Sequence, residues 1–278
     1  MNYSHAYHAG NFADLVKHAA LIALLDALTA EAAPLIVVDT HAGAGAYDLS
    51  DPAQARSGEA ERGIKALLDA SVSAPLSRLV EEVRASGEGT YPGSPVLICR
   101  TLRPRDRYVA SELRPDVHAI LVSTLKASDK LAEARLADGF ATAPEIAREG
   151  TGRLLLLIDP PFERADDYVR IVATLIAVRE VRAQFTALLW LPLKDLETLD
   201  SFVRRLEAAG LDNFTVCETR LRALDSPLRM NGCVMVAIGA PPGFEEQLNA
   251  ISRAVVDLLA EPSGGSRLWR AGGSSPQP

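Results

Sequence analysis

The chain has 278 residues, of which 48% are hydrophobic and 23% charged, enough apolar material for one large α/β domain with an elaboration and too much for a disordered or fibrous protein. No apolar stretch approaches the roughly 20 residues that cross a bilayer, and the start lacks a basic region followed by an apolar segment and cleavage site, so a cytoplasmic location is expected. The net charge of −7 argues against indiscriminate polyanion binding, although arginines cluster at Arg100, Arg103, Arg105 and Arg107 and again at Arg220, Arg222 and Arg229, where the fold could build a local basic face.

Residues 12–30 carry apolar side chains at helical spacing, after a polar loop with His5, His8, Gly10 and Asn11. Pro34 ends that helix. Leu35-Ile36-Val37-Val38 is a buried first strand that stops at Asp39 and enters the tight loop Thr40-His41-Ala42-Gly43-Ala44-Gly45. From about 50 to 90 the chain is rich in Ala, Glu, Leu and Arg, with helical periodicity and no convincing strand, where a doubly wound fold delivers a crossover helix and a second strand. This stretch is expected to be a helical insertion subdomain, with residues 1–49 and 91–260 forming the main domain.

Pro92 to Pro95 turns the chain into a helix over 96–102. A second strand follows over 108–111, ending at Glu112, then a helix over 115–127. A third short strand over 134–137 ends at Asp138-Gly139, and a weak helix runs to about 148. Leu154-Leu155-Leu156-Leu157-Ile158 is the most apolar run of the chain and stops at Asp159-Pro160-Pro161, the pattern of a central parallel strand covered on both faces. Helices over 166–183, 195–209 and 244–259 and strands over 187–191, 215–219 and 234–238 complete a doubly wound, mostly parallel sheet of seven strands. The tail 261–278, rich in Gly, Ser and Pro, is expected to be flexible unless Trp269 docks. Cys99, Cys217 and Cys233 are odd in number, far apart and set in apolar runs, which suits reduced core thiols and neither a disulfide nor a metal site.

The glycine loop after the first strand invites a nicotinamide reading, but the dinucleotide fingerprint needs a third small residue where this chain has Asp48. A carboxylate beside the loop repels a pyrophosphate and suits a ligand with a cationic amino acid end, such as S-adenosylmethionine. A lone GxG is also an ordinary tight turn. Glu112, placed to accept from ribose hydroxyls, and Asp138, placed to accept from the adenine amino group, extend it into a cofactor slot along successive strand ends.

Asp159-Pro160-Pro161-Phe162 is the strongest chemical signal. Two adjacent prolines fix φ and remove two backbone donors, so the local carbonyls face outward as acceptors on a rigid turn. The exocyclic nitrogen of adenine is a poor nucleophile because its lone pair is delocalised into the ring. An Asp159 carboxylate and a Pro160 carbonyl that each accept one N–H orient that lone pair for in-line displacement at a sulfonium methyl. Phe162 is placed to stack on an unstacked base. The sulfonium is a good leaving group, so this chemistry calls for no metal and no covalent enzyme intermediate.

Taken together, these motifs resemble the RlmJ family of bacterial 23S rRNA adenine-N6 methyltransferases over about 3–240. The most specific part is Tyr3-Ser4-His5-Ala6-Tyr7-His8-Ala9-Gly10-Asn11-Phe12-Ala13-Asp14-Leu15-Val16-Lys17-His18, joined by the Asp39 loop, Tyr91-Pro92-Gly93-Ser94-Pro95, Glu112-Leu113-Arg114-Pro115, Asp138-Gly139-Phe140 and the tetrapeptide. The resemblance implies cofactor contacts at His18, His41, Ser94, Glu112, Asp138, Gly139 and Asp159, with Gly43 in the loop between them. It also implies Asp159 as the catalytic residue, with Pro160 and Phe162 beside it, and Tyr3 near the substrate. Lys17, which shares a helix face with Asp14 and His18, is grouped with the substrate contacts. The family often has Tyr where this chain has Phe162, and His where it has Arg114. The implied partner is 23S rRNA, protein-free or in an early assembly precursor; for the oligomeric state a monomer is the default expectation. The competing readings are a DNA adenine methyltransferase, which shares the chemistry, and a non-catalytic factor that binds the cofactor or RNA, which the intact tetrapeptide disfavours.

Overall fold

The computed structural model describes residues 8–51, 58–225 and 230–272. Its eight-stranded sheet follows the order β10-β8-β9-β7-β6-β1-β4-β5, where β1 is Leu35–Asp39, β4 Arg107–Glu112, β5 Leu131–Leu136, β6 Arg153–Ile158, β7 Thr186–Leu193, β8 Phe214–Arg220, β9 Gly232–Ile238 and β10 Gly265–Ala271. Strands β5, β4, β1, β6 and β7 run parallel, with Val37 of β1 facing Tyr108 of β4 and Leu155 of β6. Strand β9 is antiparallel to both β7 and β8. The period of two divides each apolar strand between two cores: Val37, Leu155, Leu157 and Leu188 pack beneath the first helix, Phe12–Thr29, and the helix Phe244–Leu259. Ile36, Val38, Leu154, Leu156, Ile158 and Leu189 pack against helices Gly139–Glu149, Asp167–Val181 and Leu196–Ala208 on the other face.

The eighth strand corrects the expected count of seven, and it comes from the tail expected to be flexible. Strand β10 pairs antiparallel with β8, placing Trp269 opposite Val216 and Leu268 opposite Cys217. Both apolar side chains join the margins of the two cores, which offsets the weak strand preference of the flanking glycine and serine. Residues 273–278 of that tail lie outside the described residues. All three cysteines are free and buried, and none of the described helices is long and apolar enough to cross a membrane.

Between β1 and β4 the chain makes the short antiparallel pair β2 (Ala46–Asp48) and β3 (Thr90–Pro92), with Tyr47 opposite Tyr91. This pair closes the base of the expected insertion. The loop beyond it holds a π-helical turn Glu61–Lys65 that runs into the helix Ala66–Asp69, then the helix Ala74–Ala85. The π turn lies directly on the loop before the first helix: Ile64 N donates to Gly10 O at 2.8 Å, and a Cβ on Gly63 would sit 2.1 Å from that same oxygen. Only glycine permits this approach. The segment between β2 and β3 thereby fixes the start of the first helix, whose cap Asn11 accepts from Asp14 N at 3.0 Å and donates to Glu59 at 3.1 Å.

Candidate active site

Chain order reverses between β1 and β6: β1 leads to β4 on one side, and β6 leads to β7 on the other. In a doubly wound sheet the carboxyl ends of such strands frame the ligand crevice. Three adjoining cavities lie there. The first, about 160 Å³, is lined by Thr40, His41, Gly43, Ser111, Glu112, Asp138 and Arg170 among others. The second is a narrow cleft between Asp14, Lys17, His18, Asp39, His41, Ser94 and Asp159. The third, about 320 Å³, opens between Lys17, Glu59, Asp159, Phe162, Trp190, Lys194 and Met230. His41 belongs to the first and second, Asp14, Lys17 and Asp159 belong to the second and third, and Pro161 lines the first and third, so the narrow cleft joins the nucleoside-sized cavity at His41 and the third cavity at Asp159.

Asp39, at the end of β1, is fully buried and accepts from Ser94 Oγ at 2.7 Å and Tyr108 OH at 3.1 Å. Burial pushes its carboxyl up to about 6, against the opposing effect of these donors and the His41 N–H. The glycine loop beyond it has Gly43 at φ 66°, a left-handed conformation that glycine adopts without a steric penalty. His41 Nδ1 lies 2.8 Å from Thr40 Oγ1, and its ring meets the Phe140 ring edge-on at 4.7 Å. Gly139 closes the slot from beneath, since a Cβ there would lie 2.0 Å from Thr40 O.

Glu112 accepts from Arg114 N at 2.8 Å. Asp138, expected to await an adenine amino group, has work in the fold as well. It caps the helix Gly139–Glu149 by accepting from Phe140 N at 3.0 Å, and its other oxygen pairs with Arg170. The Arg170 guanidinium lies 4.4 Å from the Phe140 ring centroid, so one arginine fixes both the acid and the ring beneath it. Ser111 Oγ, buried at the end of β4 and lining the same cavity, has no hydrogen-bond partner among the described residues. An orphaned hydroxyl beside two carboxylate acceptors suits a nucleoside ligand, and Asp39 and Asp159 in the adjoining cleft suit its cationic end.

Lys17, grouped above with the substrate contacts, lines the third cavity and is held there by two acids. On a helix otherwise packed with aliphatic side chains, the residue is only 7% exposed and its ammonium lies 2.8 Å from Asp14 and 2.7 Å from Asp159. Burial alone would depress that ammonium, but Asp14 and Asp159 outweigh burial and hold it well above the ordinary lysine value. It therefore anchors the tetrapeptide carboxylate to the first helix and is committed to it. At the next position His18, in the cleft wall, has its Nδ1 2.8 Å from the OH of the fully buried Tyr91. Tyr3 lies outside the described residues.

Pro160 is buried beside Asp159, and Phe162 takes φ 51°, a left-handed conformation that costs a non-glycine residue about 1–3 kcal/mol. That turn carries the Phe162 ring over the third cavity, 4.9 Å from Tyr168 and 5.8 Å from Trp190. Trp190, Lys194 and Arg170 are among the lining residues that the sequence alone did not single out. Among the described residues, arginines of the two clusters that could have built a basic face are paired with acids: Arg100 with Glu82, Arg103 with Asp106, Arg107 with Glu133, Arg220 with Glu218 and Arg222 with Glu261. Arg229 lies outside the described residues.

Strand order, a glycine loop after β1, acids along the following strand ends and an Asp-Pro-Pro-Phe turn after β6 define a class I methyltransferase that takes S-adenosylmethionine. The comparisons agree. A family model described as ribosomal RNA large subunit methyltransferase D, RlmJ, matches residues 32–271. The chain is 31% identical over 261 residues to the ribosomal RNA large subunit methyltransferase J of Escherichia coli K12, covering 90% of this chain and 91% of that one. It is 30% identical over 276 residues to the protein of the same name from Haemophilus influenzae, covering 96% of each. A solved structure of a Legionella pneumophila protein superposes with a TM-score of 0.87 at 24% identity over 95% of this chain and 98% of that one, a likeness of fold. The chain belongs to the RlmJ family of ribosomal RNA large subunit methyltransferases.

Proposed function

We propose that this protein methylates N6 of an adenine in 23S rRNA, with the base turned out of its strand into the third cavity. The observation that carries this reading is the position of Asp159, where the cofactor cleft meets an aromatic-walled pocket. S-adenosylmethionine supplies an electrophilic methyl group on a sulfonium. Glu112, Asp138, Gly139 and His41 hold its nucleoside, and His18, Ser94 and Asp159 lie along its amino acid end.

Within the pocket, the Asp159 carboxylate and the Pro160 carbonyl each accept one amino N–H of adenine. Two acceptors in fixed positions draw the nitrogen toward pyramidal geometry and aim its lone pair at the cleft. Lys17 holds one carboxylate oxygen of Asp159 by hydrogen bond and leaves the other for the base. Phe162 and Trp190 provide the apolar walls that replace the base's lost stacking. The nitrogen is cationic after transfer and releases a proton, for which Asp159 is the nearest acceptor.

The test uses purified protein, protein-free 23S transcript and labelled S-adenosylmethionine. Asp159→Ala is expected to abolish transfer while keeping the wild-type circular dichroism spectrum and a cooperative melt. Transfer at the wild-type rate by that variant overturns the mechanism.

A further inference from the structure

The third cavity is poorly matched in charge to a nucleotide. Its lining holds three carboxylates, Asp14, Glu59 and Asp159, against the cations Lys17 and Lys194 and the titratable His8. Lys17 is bound to Asp14 and Asp159, and His8 lies 2.9 Å from Glu59. A base entering this cavity brings its phosphodiester to the rim, and an anion meeting a mostly acidic lining needs a cation there.

We propose that Lys194 binds that phosphate and thereby sets the affinity for the polynucleotide; the inference rests on the reading of this cavity as the target-base pocket. Lys194 directly follows β7, on the catalytic edge of the sheet, and is exposed. Its ammonium pairs with no carboxylate among the described residues, and its neighbour Asp195 is occupied as a helix cap, accepting from Thr198 N at 2.7 Å and Thr198 Oγ1 at 3.1 Å.

The backbone beneath Lys194 is fixed. Buried Asn231 donates its backbone N–H to Leu193 O at 2.9 Å and its side-chain N–H to Lys194 O at 3.0 Å, tying the end of β7 to the start of β9. The same strand end carries Trp190 and Pro192 into the cavity wall. A point charge on a flexible stem, rooted at a fixed site beside the base pocket, fits a phosphate contact that positions a nucleotide without reading its sequence.

The test compares wild type, Lys194→Ala and Lys194→Arg on protein-free 23S transcript, measuring kcat and KM for methyl transfer and the Kd for the RNA across a potassium chloride series. Lys194→Ala is expected to raise KM and Kd about tenfold with kcat held within about twofold. The slope of log(1/Kd) against log salt should shrink by about 0.7–0.9. Lys194→Arg should restore affinity and slope. An unchanged salt slope, or a loss confined to kcat, overturns the proposal. The nucleoside formed by the wild type is identified in parallel. A product other than N6-methyladenosine defeats the adenine reading, while the salt slope still decides whether Lys194 meets a phosphate.

Discussion

Replacing Lys17 with methionine deletes one charge from the centre of the site while keeping a side chain of similar reach. Its two partners stay put, with Asp14 at 15% and Asp159 at 10% side-chain exposure. Breaking a buried pair by removing one partner costs about 3–5 kcal/mol, because the remaining charge is left uncompensated. Here the cost has a ceiling. A stranded carboxylate with an ordinary value near 4 can take up a proton at pH 7 for about 4 kcal/mol, so the loss at neutral pH should be about 3–4 kcal/mol.

The sign of its pH dependence follows from linkage. In the wild type the raised Lys17 contributes stability that is fully present below the unfolded lysine value and is lost only as pH rises through its folded value, above the working range. In the variant the stranded carboxylate is raised instead. The folded state then holds a proton that the unfolded state has released, and stability falls as pH rises from about 4 to 7. Urea denaturation of both proteins at pH 4.5 and 7.5 should show a deficit that grows with pH, together with a large loss of methyl transfer. A deficit below about 1 kcal/mol, or one that does not change with pH, refutes the account of Lys17 as a buried counter-ion.

Two other substitutions test the cofactor side of the site. Asp39→Asn removes a carboxyl pushed up to about 6 by burial, a group whose stabilising contribution is fullest below about 4 and is lost as pH rises through 6. The variant without cofactor should therefore gain up to about 3 kcal/mol at pH 7.5 and nothing near pH 4, while calorimetry shows weaker binding of S-adenosylmethionine; equal stability at pH 7.5 counts against the assignment. Gly139→Ala sets a methyl group where the Thr40 carbonyl now lies, 2.0 Å from the Cβ position, so the loop must retreat by more than 1 Å. Melting should reveal a loss of about 1–3 kcal/mol, and calorimetry a cofactor Kd raised at least tenfold; wild-type affinity would mean that the loop does not bind cofactor.

The parts of this protein legible in the sequence are those where one short segment carries both fold and chemistry. Leu154 to Ile158 is uniformly apolar because β6 is covered on both faces, and the chain places Asp159 where that cover ends. The Asp39 loop follows the same logic at β1. Lys17 was visible as part of a helix face, but its role depends on a contact spanning 142 positions of sequence, and a lysine on a helix gives no sign of burial. Arg170 resembles any surface arginine on a helix until Asp138 and Phe140 are folded against it. Trp190 belongs to a strand whose period reports only its packing, and Lys194, just beyond that strand, resembles any exposed lysine. Strand β10 was hidden by composition, since its glycine, serine and two arginines give a weak pattern that pairing with β8 overrides.

The central claim is that adenine N6 in large-subunit rRNA receives the methyl group at Asp159. It is tested most directly by mass spectrometry of nucleosides from protein-free 23S rRNA and, in parallel, from DNA, each incubated with the purified protein and S-adenosylmethionine. The account predicts N6-methyladenosine in the RNA. Methylated DNA beside unmodified RNA, or a methyl group on any other nucleoside position, contradicts it.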